Sequence, residues 1–384
     1  MPIGYKYNCT TVSAMTNGTS TCTIDLSTNS SLMGNIANYL WDTTMSYGTS
    51  LGWDMQGANF SNTQYLHNFV NFVMDIYYQI YQPFNIELVD KGDQYAAMGL
   101  NPNYTGSQMV DDCTSISNVV YGLVINGPGI TDAADASWYE SIQDIVNYCG
   151  YFTARAIVFQ NTSLLTIANL LSEQYTQQYL LNRFTVNGNN YFTAFAMGIN
   201  DMRLVAADNG IDGLTNSFAA AIWAIEMSME FAIMGGIRMD FFNPVANASY
   251  QSVIGQAPLY NPSSLYYALL FTIIANKNSP FIERPTITAG SSASIQSYGL
   301  NQDTSYAFIL LNKDMNQNLA GKVQIALSYP SGINCLYLSA AHLNSTSGIT
   351  FAGLSFGANN SHYVGDYNAI SYYPEPDGYY YVDI

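Results

Sequence analysis

An α/β fold is what this sequence predicts: a parallel sheet with crossover helices, then an antiparallel sandwich. Three observations predict it. Met202–Ala207 is an apolar strand-like run, Phe218–Ile233 keeps helical apolar spacing, and Ile237–Phe242 is a second strand-like run, which together make one strand–crossover–strand unit. Similar short apolar runs alternate with helical patterns upstream, from Leu32 to Pro280. Beyond Pro280 the helical spacing stops and short alternating segments separated by Gly, Asn and Pro take over.

The elements follow in order. Residues 1–31 are polar and without periodicity, and read as an N-terminal arm. Leu32–Met45 reads as a helix, Leu51–Met55 as a strand, and Tyr65–Ile80 as an aromatic amphipathic helix. Phe84–Leu88 is the next strand, Gln108–Tyr121 a helix, and Leu123–Ile125 a strand running into a loop at Asn126-Gly127-Pro128-Gly129. Trp138–Tyr148 reads as one helix, Arg155–Phe159 as a strand, Leu164–Leu181 as one helix, and Asn187–Asn190 as a loop. Asp208-Asn209-Gly210 is turn chemistry, Asn216-Ser217 a cap, and Gly235-Gly236 a helix stop. Ser264–Ile274 is an aromatic helix. Ser294–Leu300, Ser305–Asn312, Gly321–Tyr329, Ile333–Ser339, Thr350–Gly353 and Gly378–Val382 are the strands of the sandwich. The domains expected are therefore an arm (1–31), an α/β domain (32–280) and a β-sandwich (281–384).

Composition narrows the function classes. Charged residues are 10% of the 384, against about a quarter in ordinary domains. The net charge of −17 reflects 10 Lys and Arg against 27 Asp and Glu, so solubility rests on uncharged polar groups. Nucleic acid is excluded as an expected partner, because phosphate binding needs clustered cations. No apolar run reaches membrane-span length. His67, His342 and His362 are too scattered for a zinc site, and no phosphate-cradling loop occurs, so no cofactor is expected. Asp111, Asp112 and Asp132 are read as solvated acids.

Two stretches carry a family resemblance. Arg203-Leu204-Val205 leads into Gly213-Leu214-Thr215-Asn216-Ser217-Phe218 and Ala219-Ala220-Ala221-Ile222-Trp223. This resembles the last part of the catalytic barrel in the heparanase and β-glucuronidase-like glycoside hydrolases, family 79, where an arginine-led strand ends in Glu-x-Asn. The second stretch, Glu87-Leu88-Val89-Asp90-Lys91-Gly92-Asp93, resembles that family's Glu-Leu-Gly-Asn-Glu-Pro-Asp. The resemblance implies a (β/α)8 TIM-like barrel with a C-terminal β-sandwich. In that family about two barrel strands precede the segment that matches Gly48–Met55, and residues 1–31 do not read as such strands, so the barrel is expected to be N-terminally incomplete as a fragment, completed in trans by another chain, or rebuilt.

The resemblance also locates a loss. Ala206 stands at the family's nucleophile position and Lys91 at its acid/base position. Retaining hydrolysis needs two carboxyl groups about 5 Å apart, one to form the glycosyl ester and one to move the proton. A methyl group and an ammonium do neither. Asp208, Glu87 and Asp90 are the possible stand-ins, and Lys91, Arg203 or Arg238 the groups expected to hold an acidic sugar uncut. The chain is therefore expected not to be an enzyme.

Nine Asn-x-Ser/Thr acceptors start at Asn8, Asn17, Asn29, Asn59, Asn103, Asn161, Asn247, Asn344 and Asn359, against roughly five expected by chance for so short a motif. Cys9–Cys22 and Cys113–Cys149 are candidate disulfides, leaving Cys335 over. These features favour an extracellular or cell-surface location, although no secretion signal is visible in the sequence. The function expected is a non-catalytic structural glycoprotein that self-assembles as an oligomer or polymer into a filament, sheath or coat. The alternatives are a carbohydrate-binding protein that keeps the ancestral groove, with a glycan as partner, and a hydrolase with relocated acids.

Overall fold

The computed structural model describes residues 85–88, 91–97, 103–118, 124–131, 136–186, 189–190, 197–207, 209–242, 253–256, 259–276, 281–283, 285, 294–302, 305–315, 322–326, 332–356 and 363–383. The N-terminal arm, the three elements expected before Phe84, Cys9, Cys22, Asp90 and Asp208 lie outside them.

Five parallel strands form the central sheet, in the order β1 (Asn85–Glu87), β2 (Val124–Ile130), β3 (Tyr151–Phe159), β6 (Met197–Val205) and β7 (Arg238–Phe241). A two-residue hairpin pair, β4 (Thr185–Val186) and β5 (Asn189–Asn190), lies between β3 and β6 in sequence. The crossover helices are α1 (Gly106–Ser117), α2 (Ala136–Glu140), α3 (Ile142–Cys149), α4 (Ile167–Leu170), α5 (Gln177–Phe184) and α6 (Phe218–Ile233). The parallel βα core is thus present, as the alternation of patterns predicts.

α6 shows how local chemistry sets an element. Ser217 is its N-cap and accepts from the Ala220 N–H at 3.2 Å. Its residues are apolar nearly all round, and nearly all are buried, as such a helix requires. At the other end the Gly236 N–H donates to the Phe231 carbonyl and the Gly235 N–H to the Ala232 carbonyl, the Schellman pattern. Gly235 takes φ 91°, a left-handed value that a side chain would oppose.

Three expectations change in detail. Leu164–Leu181 is not one helix: Asn161, Thr166 and Ser172 each cap a fresh short turn with a side-chain oxygen, so the segment restarts repeatedly. Trp138–Tyr148 is likewise split, at Ser141, into α2 and α3. Asn126-Gly127-Pro128-Gly129 belongs to β2 rather than to a loop, and the register between β2 and β3 shifts there by an extra residue.

The candidate bridge Cys113–Cys149 is formed and ties α1 to α3. Both cysteines are buried, and Cys335 is a free thiol. With a sequence separation of 36 between the two, replacing both by serine is expected to lower stability by about 3–4 kcal/mol. Calorimetry of the double variant against the oxidised protein reads this directly, and an unchanged Tm would refute it.

After β7, β8 (Val253–Gln256) and β9 (Leu259–Pro262) pair antiparallel, and α7 (Ser264–Asn276) packs against α6. The rest is antiparallel, in keeping with a β-sandwich. β10 (Phe281–Glu283), β11 (Ile295–Gln302) and β12 (Ser305–Asn312) form one sheet. β13 (Lys322–Ala326), β14 (Ile333–Cys335), β15 (Leu338–Ser339), β16 (Thr350–Phe351), β17 (Ser355–Phe356), β18 (Tyr363–Val364), β19 (Ile370–Tyr372) and β20 (Tyr379–Asp383) follow as paired ribbons. Tyr298, Leu300, Ile309 and Leu311 join the same buried cluster as α6 and the parallel strands. No helix among the described residues is long and apolar enough to cross a membrane.

Candidate functional site

In parallel βα sheets the side chains that do chemistry gather at the C-terminal ends of the strands. Two sequence-predicted positions stand there. Lys91 lies just past β1, with a left-handed backbone (φ 58°, ψ 45°) and its N–H on the Gly129 carbonyl at 3.1 Å. Ala206 lies just past β6 and is exposed, and its carbonyl accepts from Arg203 Nη1 at 3.4 Å. β2 and β3 run between them. Asp93 is engaged elsewhere: its carboxylate accepts from the Thr131 N–H at 2.9 Å and the Thr131 hydroxyl at 2.6 Å.

Glu87, the third described candidate, is the last residue of β1 and is buried. Its carboxylate accepts from Asn126 Nδ2, the Thr153 hydroxyl and Asn200 Nδ2, so three neighbouring strands converge on it. Lone pairs filled by fixed donors leave such a carboxylate poorly suited to attack or to shuttle a proton.

A charged network lines the same sheet, and sequence reasoning did not find it. Asp201 pairs with both Arg155 and Arg203. The Arg203 guanidinium lies 3.6 Å above the Phe242 ring centroid. Arg238 donates to Asp240 at 2.9 Å and to the Tyr151 hydroxyl at 3.0 Å. Burial pushes the Tyr151 hydroxyl up to about 12, with Arg238 pulling the other way. The tyrosine is therefore a neutral hydrogen-bond partner across the physiological range.

One backbone feature makes the network possible. Ala154 pairs with Ile199 and Arg155 with Asp201, so β6 carries Asn200 as an extra residue. Such a bulge breaks strict alternation. Asn200 reaches Glu87 while its neighbour Asp201 reaches the arginines. The visible signal was the charge itself: Arg155, Asp201 and Arg203 interrupt otherwise apolar strands. Arg203 and Arg238, two of the groups expected to hold an acidic sugar, each already face a carboxylate, and Asp201 is shared between Arg155 and Arg203.

The sequence matches no protein-family model and no curated protein. Its structure is similar to that of a 4-O-α-L-rhamnosyl-β-D-glucuronidase from Fusarium oxysporum 12S, solved as a Rha-GlcA complex. The match covers 91% of this chain and 77% of the other, with a TM-score of 0.68 and 16% identity. The chain has a glycoside-hydrolase-like fold. An α-L-arabinofuranosidase from Thermotoga maritima is more distant, at TM-score 0.49 and 6% identity over 87% of this chain and 75% of its own. So is a GH30 endoxylanase from Clostridium papyrosolvens C71, at 0.47 and 10% over 94% and 85%. At such identities the likeness speaks for the fold alone.

Proposed function

We propose that this chain is a non-catalytic, secreted glycoprotein on a glycoside-hydrolase-like scaffold, used for assembly into a filament, sheath or surface coat. One observation carries the loss of catalysis. The two rim positions that the family 79 resemblance assigns to the nucleophile and the acid/base are Ala206, past β6, and Lys91, past β1. Glu87, the described one of the possible stand-ins, is buried under three donors, and Asp93, two residues past Lys91, is held by Thr131. In this reading residues 32–280 make a TIM-like barrel of the family 79 type and 281–384 a sandwich beside it.

The disulfide supports an oxidising, extracellular setting. Scarce charge and outward-facing tyrosines on the sandwich, with Tyr367 65% and Tyr373 70% exposed, support contacts between copies.

Hydrolysis of aryl β-glucuronides is expected to stay at the buffer background from acid to mildly basic pH. Turnover abolished by Asp208→Ala would overturn the reading and make Asp208 a relocated nucleophile. Assembly is read separately, by size-exclusion chromatography and electron microscopy of the native protein. A monodisperse monomer at high concentration would sink that part of the proposal.

A further inference from the structure

The acceptor sequons among the described residues share one end of the molecule. Asn161 stands two residues past the last residue of β3. Asn103 precedes α1, the helix that follows β1. Asn344 sits between Leu343 and Ser345, whose carbonyls accept the Ala219 and Phe218 N–H groups at the start of α6, each at 2.8 Å. A crossover helix starts where its strand finishes, so all three stand at the C-terminal end of the parallel sheet. All three are exposed.

Asn161 is the central one. The register pairs Phe159 with Val205, so Asn161 and Ala206 follow neighbouring strands off the same edge. Strand spacing then places them within about 10 Å of each other. In the sheet order β3 lies between β1, which leads to Lys91, and β6, which leads to Ala206. The Asn161 Oδ1 accepts from the Ser163 N–H at 3.0 Å and from the Ser163 hydroxyl at 2.8 Å, and Ser163 is the third residue of its own sequon. That holds the carboxamide oxygen inward on its own turn, and no described residue accepts from Nδ2.

We propose that Asn161 carries an N-linked glycan that covers the rim between Ala206 and Lys91. The inference rests on the reading of the chain as a secreted glycoprotein. In the transfer, Asn161 Nδ2 bonds to the anomeric carbon of a lipid-pyrophosphate-linked oligosaccharide. The anomeric C–O bond breaks, the lipid pyrophosphate leaves with the electron pair, and the amide gives up one proton. A former substrate mouth then lies beneath the protein's own sugar. The hydrated glycan supplies at this end the solubility that a charge-poor surface lacks.

Glycopeptide mapping of protein secreted from a glycosylating host tests occupancy at every sequon. Coverage is tested by placing a thiol at the rim, as Ala206→Cys in a Cys335→Ser background. A polymer-linked maleimide is expected to label that thiol several-fold faster when Asn161→Gln or Ser163→Ala removes the sequon. Labelling by iodoacetamide, a small reagent, is expected to change little, which separates lost coverage from a local rearrangement. Glycans at other sequons with Asn161 bare, or equal labelling with and without the sequon, would overturn this inference alone. No glycan at any sequon would overturn the glycoprotein reading on which it rests.

Discussion

Glu87→Ala is expected to destabilise the protein by about 3 kcal/mol or more, the cost of leaving several buried donors unpaired. The carboxylate is 6% exposed and takes Asn126, Thr153 and Asn200 from three different strands. Alanine removes every acceptor at once, and two of the donors, Asn126 and Thr153, are buried away from water. Glu87→Gln is expected to cost less. It keeps one carbonyl acceptor, and its new amide sets N–H against N–H on one side. Urea denaturation followed by circular dichroism ranks the three proteins. A loss below about 1 kcal/mol for Glu87→Ala, the size of an exposed polar contact, would show that Glu87 is not the keystone of these strands. The same comparison bears on function, because a carboxylate recruited for chemistry is commonly dispensable for folding, whereas this one is expected not to be.

The strand–helix–strand unit from β6 to β7 was legible because its signals agree: Ser217 caps, an apolar helix follows, and Gly235-Gly236 stops it. The Cys113–Cys149 pairing and β12 were equally readable from the sequence. The start of β6 was not. It begins at Met197, but Asn200 and Asp201 break the apolar run, and only the sheet reveals that Asn200 donates to Glu87 on β1 and that Asp201 pairs with Arg155 on β3 and with Arg203 on its own strand. β2 was hidden for a related reason, since Asn126-Gly127-Pro128-Gly129 has turn composition. Asn126 is there for its bond to Glu87, and Gly129 for a left-handed φ of 57°. At the site, Ala206 and Lys91 stand out only through the family resemblance, not through any local pattern of their own. The Arg155–Asp201–Arg203 network has no such pattern and depends on long-range pairing that single-sequence periodicity does not carry.

The other large effect is expected where the two kinds of sheet meet. Lys313 follows β12, and its ammonium lies 2.8 Å from Glu226 on α6, with side-chain exposures of 7% and 1%. Glu226 also accepts from the Thr176 hydroxyl at 3.1 Å, and one turn on, Glu230 accepts from the Tyr298 hydroxyl at 2.7 Å. Lys313→Met strips the buried Glu226 of its counter-charge, a change that costs about 3–5 kcal/mol when the remaining group stays ionised. Burial holds Glu226 above the ordinary carboxyl range, and Lys313 pulls it back. Removing the lysine lets the value rise further, so the size of the effect depends on pH. A folded-state value above the unfolded one gives stability that is full below the unfolded value and is lost as pH rises through the folded value. Lys313→Met is therefore expected to be mild in acid, where Glu226 takes a proton, and severe above neutrality. Adding Glu226→Gln removes the charge while keeping an acceptor for Thr176, and is expected to restore most of the loss at pH 8 but little at pH 4. Chemical denaturation of the single and double variants at both pH values decides it. A deficit of equal size at the two pH values, untouched by Glu226→Gln, would mean that Lys313 acts through the packing of its alkyl chain instead.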